Sequence, residues 1–324
     1  MSPDVAAFLA AGGWADAERQ PLAGDASDRR YTRLRRGTRS AVLMQAPPDA
    51  ALDAFIRVGA LLAGLGLTTP RLLAAERGRG LLLLEDFGDD VFARLLDAGA
   101  PPAPLVDLAV DVLAHLHRHF RGAEGLPVYD AAGFEAQAML FCEAALPGVA
   151  DDLEAAAAEY RVAWAALLPE TCAGPGSLLL CDYHAGNLVR LAERDGVAAC
   201  GLLDFQDAGL GPRAYDLASL IEDARRDYPS EIRERALARY LAAFPELDAT
   251  RFRRDLAVLA AMRHFRVLGI FERLARERRR PEYLVHRPRL WRFIAAHLEE
   301  AALAPVAAWL ARWLPPEKRR ALGG

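Results

Sequence analysis

Asp182-Tyr183-His184-Ala185-Gly186-Asn187, followed by Leu202-Leu203-Asp204-Phe205, is the part of the chain on which its reading turns. Apolar runs at 178–181, 188–191 and 199–204 predict three short strands around these polar residues. An Asp and an Asn five positions apart on a loop, with a second Asp at a strand end, suit phosphoryl transfer. Asp182 can accept the proton of an attacking hydroxyl. Asn187 and Asp204 can each give an oxygen to Mg²⁺, a hard cation that prefers oxygen ligands. A plain loop seldom gathers Asp, His, Asn and Asp with only Tyr183 to pack.

Working outward, the chain on the C-terminal side reads as helix from Ala214 almost to its end. The longest helix, 251–278, is expected to carry arginines on its outer face. Between 105 and 168, three segments show helical spacing: 105–120, 133–146 and 151–168. The first ninety residues read differently. A short helix over 4–11 precedes strands at 31–34 and 40–45, a helix over 52–64, and a hairpin of 71–76 with 81–85 around Gly78-Arg79-Gly80. The order expected is strand, strand, strand, helix, strand, strand, with the second and third strands at 31–34 and 40–45. The boundary is placed where Leu81-Leu82-Leu83-Leu84 runs into Glu85-Asp86-Phe87-Gly88, giving domains 1–87 and 88–324.

Gly211-Pro212-x-x-x-Asp216-Leu217-Ala218 completes the set begun by Asp182-x-His184-x-x-Asn187 and Leu202-Leu203-Asp204-Phe205. Together these resemble the aminoglycoside phosphotransferase and choline kinase family. The N-terminal stretches Leu22-Ala23-Gly24-Asp25-Ala26-Ser27, Arg29-Arg30-Tyr31, Met44-x-Ala46-Pro47-Pro48 and Leu82-Leu83-Leu84-Glu85-Asp86-Phe87-Gly88-Asp89 look like its bacterial anomeric sugar kinase branch, which phosphorylates N-acetylmuramate and N-acetylglucosamine in cell-wall recycling. The resemblance spans about residues 15–245. It implies an α+β, protein-kinase-like two-lobed fold: a small antiparallel-sheet lobe with one helix, then a larger, mainly helical lobe.

The same resemblance implies ATP and Mg²⁺ as cofactors and a sugar or amino-sugar hydroxyl as acceptor. Asp182 would be the catalytic base, with Asn187 and Asp204 the metal ligands. Gly24, Asp25, Ala26 and Ser27 would form the loop over the phosphates, and Leu84, Glu85 and Asp86 the adenine-binding hinge. His184, Glu135, Gln206, Asp223 and Arg225 are candidates for the acceptor site, and Asp216 would hold the catalytic loop. An aminoglycoside- or choline-type phosphotransferase and a nucleotide-binding pseudokinase scaffold stay open as other readings.

One departure is sharp. The chain has 40 basic Lys and Arg residues, and its single lysine is Lys318. Kinase-like folds place a phosphate-gripping lysine on the third strand, paired with a Glu on the next helix. Here that strand reads Ala41-Val42-Leu43-Met44-Gln45, and 52–64 contains no Glu. Losing both partners together is self-consistent, because a buried Glu without its cation is costly. Arg30 or Arg33, on the second strand, is expected to take over the phosphates.

Other features read as structure. His115 and His119 share a helix face but have no evident third metal ligand. Trp291, Trp309 and Trp313 read as core or interface. A net charge of -4 gives no footprint for nucleic acid. Cys142, Cys172, Cys181 and Cys200 form no CxxC pair and read as reduced thiols. No uncharged apolar run reaches the roughly 18 residues a membrane span needs. The expectation is a cytoplasmic monomer or weak dimer, with no membrane or nucleic-acid partner.

Overall fold

The computed structural model describes residues 3–22, 29–174 and 176–324. Its first elements are α1 (Pro3–Ala11), β1 (Glu18–Leu22), β2 (Arg30–Arg36), β3 (Arg39–Gln45), α2 (Ala50–Gly64), β4 (Leu72–Glu76), β5 (Leu81–Glu85) and α3 (Phe92–Asp97). Then come α4 (Pro102–His119), α5 (Ala131–Ala145), α6 (Leu153–Ala165), α7 (Leu168–Cys172), β6 (Gly176–Leu179), β7 (Leu188–Arg190), β8 (Cys200–Leu202) and β9 (Gly209–Pro212). The rest is helical: α8 (Ala214–Ile221), α9 (Ser230–Ala243), α10 (Ala249–Glu277), α11 (Arg287–His297), α12 (Ala304–Trp313) and α13 (Pro316–Ala321). Contacts divide the chain into a unit of residues up to 101 with 185–207, and a unit of 102–184 with 208–324.

In the first unit, five antiparallel strands run in the order β1-β2-β3-β5-β4. Leu81 and Leu83 of β5 join Val5, Phe8, Leu9 and Trp14 in one core, with Leu34, Ala41 and Leu43. Strand alternation sends Leu82 and Leu84 to the opposite face, where they too are buried. The unbroken leucine run is what a strand covered on both faces requires. Helix α2 starts at Asp49, whose carboxylate accepts from the Ala51 and Leu52 amides, a cap worth about 1 kcal/mol. It buries Leu52, Phe55, Val58 and Leu62. The turn at Phe87–Gly88, where the sequence places the lobe boundary, follows directly from β5.

The antiparallel pair β7–β8 belongs to this unit because its backbone is tied there. Arg190 N donates to Asp90 O at 2.8 Å, and Leu202 N donates to Thr68 O at 2.8 Å.

In the second unit α10 is central, and α5 packs close against it. A Cβ at Gly269 would lie 2.5 Å from the Leu140 carbonyl oxygen, so only glycine admits this approach. Phe141, Tyr160, Phe265 and Trp309 form an aromatic core beside it. The indole N–H groups of Trp309 and Trp291 donate to backbone carbonyls of Ala156 and Leu322.

The structure departs from the sequence expectations in three places. The helix expected over 151–168 is shorter, α6 ending at Ala165, because Pro169 in the first turn of α7 has no N–H to offer the Ala165 carbonyl. A fourth short strand, β9, pairs with β6. Its Gly-Leu-Gly-Pro sequence has poor strand propensity, but a Cβ at Gly209 would meet the Pro127 carbonyl at 2.5 Å, so close chain approach decides the residue. Finally, α10 is not arginine-rich only outside: Arg263 is buried, 3% exposed.

Candidate active site

The pairing of β7 with β8 sets Leu188 opposite Leu202. One step beyond, Leu203 N donates to Asn187 O at 2.9 Å. Asn187 and Asp204 therefore leave the same end of one hairpin. Asp204 sits in left-handed backbone, φ +56°, a conformation Asp tolerates better than most side chains. The next residue anchors it: Phe205 is 1% exposed and stacks on Phe55 of α2, ring centroids 4.9 Å apart. A fixed carboxylate and an amide oxygen from one hairpin end are a donor set that fits a hard divalent cation.

An arginine lies against this carboxylate. Arg29 Nη1 is 3.4 Å from Asp204 Oδ1 and donates to Gln206 Oε1 at 2.6 Å. Its side chain is 9% exposed, with the guanidinium carbon 6.0 Å from the Phe55 ring centroid. Arg33 is differently engaged. Its Nε pairs with Asp86 Oδ2 at 2.8 Å, its Nη1 donates to Asp89 Oδ2 at 2.8 Å, and its Nη2 donates to the Gly88 carbonyl at 2.9 Å. The Arg33 guanidinium holds the Asp89 carboxyl below its ordinary value. Arg33 thus clasps the turn after β5. Arg30 is exposed at the start of β2, opposite Gln45.

In the second unit, Asp182 and His184 form an ion pair, Oδ1 to Nε2 3.3 Å. Arg225 Nη1 lies 3.3 Å from the same ring nitrogen, and Arg225 N donates to Asp223 Oδ1 at 2.8 Å. Enclosure by protein would raise the Asp182 carboxyl, but His184, with Arg263 and Arg225, holds it well below the usual carboxylate range. Burial likewise works against a charged His184, yet Asp182 and Asp223 raise its pKa above 6.5. Asp216 of α8 is fully buried and accepts from Leu180 N at 2.6 Å and Cys181 N at 2.9 Å. Burial pushes its carboxyl up to about 7 against those two bonds. It ties down the chain just ahead of Asp182, where Cys181 takes φ +67°.

The remaining sequence candidates are placed as follows. Leu84 is buried and pairs with Val42 of β3. Glu85 pairs with Arg71 and Arg194, and Asp86 with Arg33. Gln206 bonds Arg29 and Asp207. Glu135 pairs with Arg161 at 3.3 Å. Gly24, Asp25, Ala26 and Ser27 lie outside the described residues. The rings of His115 and His119 lie against each other at a tilt of 31°, while buried His117 meets the Tyr240 hydroxyl at 2.6 Å. Arg29 was visible in the sequence only as part of Arg29-Arg30-Tyr31. Its position just outside β2, beside Asp204, is a product of folding.

Known proteins resemble this chain in sequence and, separately, in fold. A kinase of N-acetylmuramate and N-acetylglucosamine from Caulobacter vibrioides is 39% identical, over 97% of this chain and 97% of that protein. One of the same name from Pseudomonas aeruginosa is 34% identical, over 89% of this chain and 86% of that protein. Among solved structures, an ethanolamine kinase from Plasmodium vivax superposes with a TM-score of 0.64 at 12% identity, covering 87% of this chain and 82% of that one. It shares the kinase-like α+β fold. Residues 18–256 match the Phosphotransferase enzyme family, and with relatives this similar along the whole chain, the protein belongs to that family and is a kinase with a hydroxyl acceptor.

Proposed function

We propose that this protein is an ATP- and Mg²⁺-dependent kinase of cell-wall amino sugars, acting on the anomeric hydroxyl of N-acetylmuramate or N-acetylglucosamine in the cytoplasm. The names of its relatives support the acceptor. The observation that carries the chemistry is that Asn187 and Asp204 leave one hairpin end with Arg29 against the Asp204 carboxylate, while in the other unit His184 helps hold Asp182 ionised.

In this reading residues 1–87 serve the nucleotide and residues 88–324 the acceptor. The backbone of Leu84 to Asp86 would hydrogen-bond adenine, and Asn187 and Asp204 would hold Mg²⁺. The bound ion would neutralise charge on the phosphate oxygens. Asp182, kept ionised, accepts a hydrogen bond from the sugar hydroxyl and aligns its oxygen. As the new P–O bond forms and the bond to the β-phosphate oxygen breaks, the hydroxyl proton passes to Asp182 and ADP leaves. A carboxylate this weakly basic acts mainly by orientation, which suits the loose transition state of phosphoryl transfer. His184 positions Asp182, and Asp216 positions the backbone ahead of it. Arg225 and Asp223 border the acceptor.

Arg29 takes the place of the missing lysine. Arg33 is held by Asp86, Asp89 and Gly88, whereas Arg29 already neighbours the metal-binding carboxylate. An arginine there offers a bidentate fork to phosphate oxygens.

The test is turnover of a panel of N-acetylmuramate, N-acetylglucosamine, choline and an aminoglycoside, read as ADP formed. Phosphorylation of the N-acetyl sugars, abolished by Asp182→Asn with ATP binding retained, supports the reading. Turnover of choline or the aminoglycoside alone would replace the acceptor. Nucleotide binding without turnover of any acceptor would favour a scaffold.

A further inference from the structure

Away from Asp182, three side chains of the helical unit converge on one point. Glu222 closes the C-terminus of α8, His264 lies midway along α10, and His297 ends α11. The Nε2 atoms of both histidines are 2.7 Å from the same oxygen, Glu222 Oε2. The side chains are 0% (His264), 7% (Glu222) and 13% (His297) exposed. The two imidazole planes lie 17° apart, and the His264 ring stacks on Phe293 with centroids 5.0 Å apart.

A hydrogen-bonded triad explains this arrangement incompletely. The other carboxylate oxygen, Oε1, is 3.8 Å from Arg233 Nη1, beyond hydrogen-bond reach. Fully buried His264 leaves its Nδ1 without a partner. Its ring is therefore oriented by Phe293 and by the Nε2 end. A buried carboxylate with two imidazoles is a nitrogen–oxygen donor set. Mg²⁺ prefers oxygen ligands and waters, whereas two His and one carboxylate suit Zn²⁺.

We propose that Glu222, His264 and His297 form a binding site for a divalent transition metal of the Zn²⁺ type, separate from the phosphoryl-transfer centre. Tetrahedral bonds of about 2.1 Å put ligand atoms roughly 3.4 Å apart, so the two 2.7 Å contacts must open by about 0.7 Å. Room exists beside the cluster: a cavity of about 240 Å³ is lined by Glu222 and His297, together with Ser230, Arg233 and Glu234. It leaves a fourth position for water. The ion would join α8, α10 and α11. Since α8 carries Asp216 and leads into Asp223 and Arg225, the ion would also brace the segments around Asp182 and His184.

The experiment uses full-length protein stripped with a chelator and titrated with Zn²⁺ in excess Mg²⁺. Binding is read by competition with a metal indicator, by the ligand-field absorption of Co²⁺, and by thermal melting. Wild type should bind one equivalent of Zn²⁺ with a rise in Tm. His297→Ala and Glu222→Gln should weaken binding at least about a hundredfold, since loss of a direct ligand should cost no less than loss of its supporting shell. Asp204→Asn should bind Zn²⁺ as wild type does, separating this site from the Mg²⁺ ligands. Circular dichroism checks that each variant is folded. Because His297 is the most exposed of the three, its variant is the one expected to keep the fold. No stoichiometric Zn²⁺ on wild type, or undiminished binding by folded His297→Ala, would overturn the proposal.

Discussion

Arg29 reaches Asp204 at 3.4 Å, while Arg33 is spent on Asp86 and Asp89. The two arginines should therefore fail differently. Hydrogen bonds to charged groups are worth about 1.5–3 kcal/mol, so Arg29→Ala should lower kcat/KM for ATP roughly 10- to 150-fold, chiefly through KM. Arg33→Ala strands the buried Asp86 carboxylate and should cost about 3–5 kcal/mol of stability. Initial rates over an ATP series and urea unfolding distinguish them. The reverse pattern would reassign the phosphate grip to Arg33.

His184 gives a pH signature. Its pKa is raised in the folded protein, so its pairing with Asp182 stabilises fully below pH about 6.5 and is lost as pH climbs through the folded value. Asp182, held low, keeps its charge throughout that window. The stability gap between wild type and His184→Gln should shrink as pH rises above 6.5. Urea midpoints at several pH values measure it, and a constant gap would count against the pair.

Asp216 satisfies two backbone amides with two oxygens. Asn offers only one acceptor, so Asp216→Asn should leave one buried N–H unpaired, at about 1–3 kcal/mol. Because the folded carboxyl titrates near 7, wild type should lose stability between pH 3.8 and about 7, where the carboxyl of the unfolded chain ionises while the buried one keeps its proton. The variant should lack that slope. Denaturant titrations of both proteins across this range test the point, and kcat reports on the displaced loop.

Phe205 is the packing anchor of Asp204. Phe205→Ala removes the Phe55 stack and a fully buried ring, which typically costs about 3–5 kcal/mol. Activity should fall with it, because Asp204 would no longer be held in left-handed backbone. Phe205→Leu should recover most of the stability. Thermal melting and Mg²⁺-dependent rates, measured together, separate the two effects.

The candidate site was legible in the sequence wherever its proposed members are close along the chain. Asp182, His184, Asn187 and Asp204 lie within one short stretch, and loop and strand-end positions follow from apolar runs on either side. The elements of the sheet unit were equally legible, since leucine runs, alternation and turn glycines are local signals. Strand β9 was not, because its glycines answer to close neighbours distant in sequence, Pro127 at Gly209 and Leu179 and Tyr129 at Gly211.

By itself, the sequence determined that no lysine before residue 318 could grip phosphate, since that exclusion needs only a count. It offered Arg30 or Arg33 in that role and did not single out Arg29, which stands within five positions of them and is chemically alike. Only tertiary structure tells the three apart, because the partners of these residues arrive from far along the chain. The turn after β5 brings Asp86 and Asp89 to Arg33, and the β7–β8 hairpin brings Asp204 and Gln206 to Arg29. The Glu222–His264–His297 cluster has the same origin: its members are spread over three helices, and only packing around α10 brings them together.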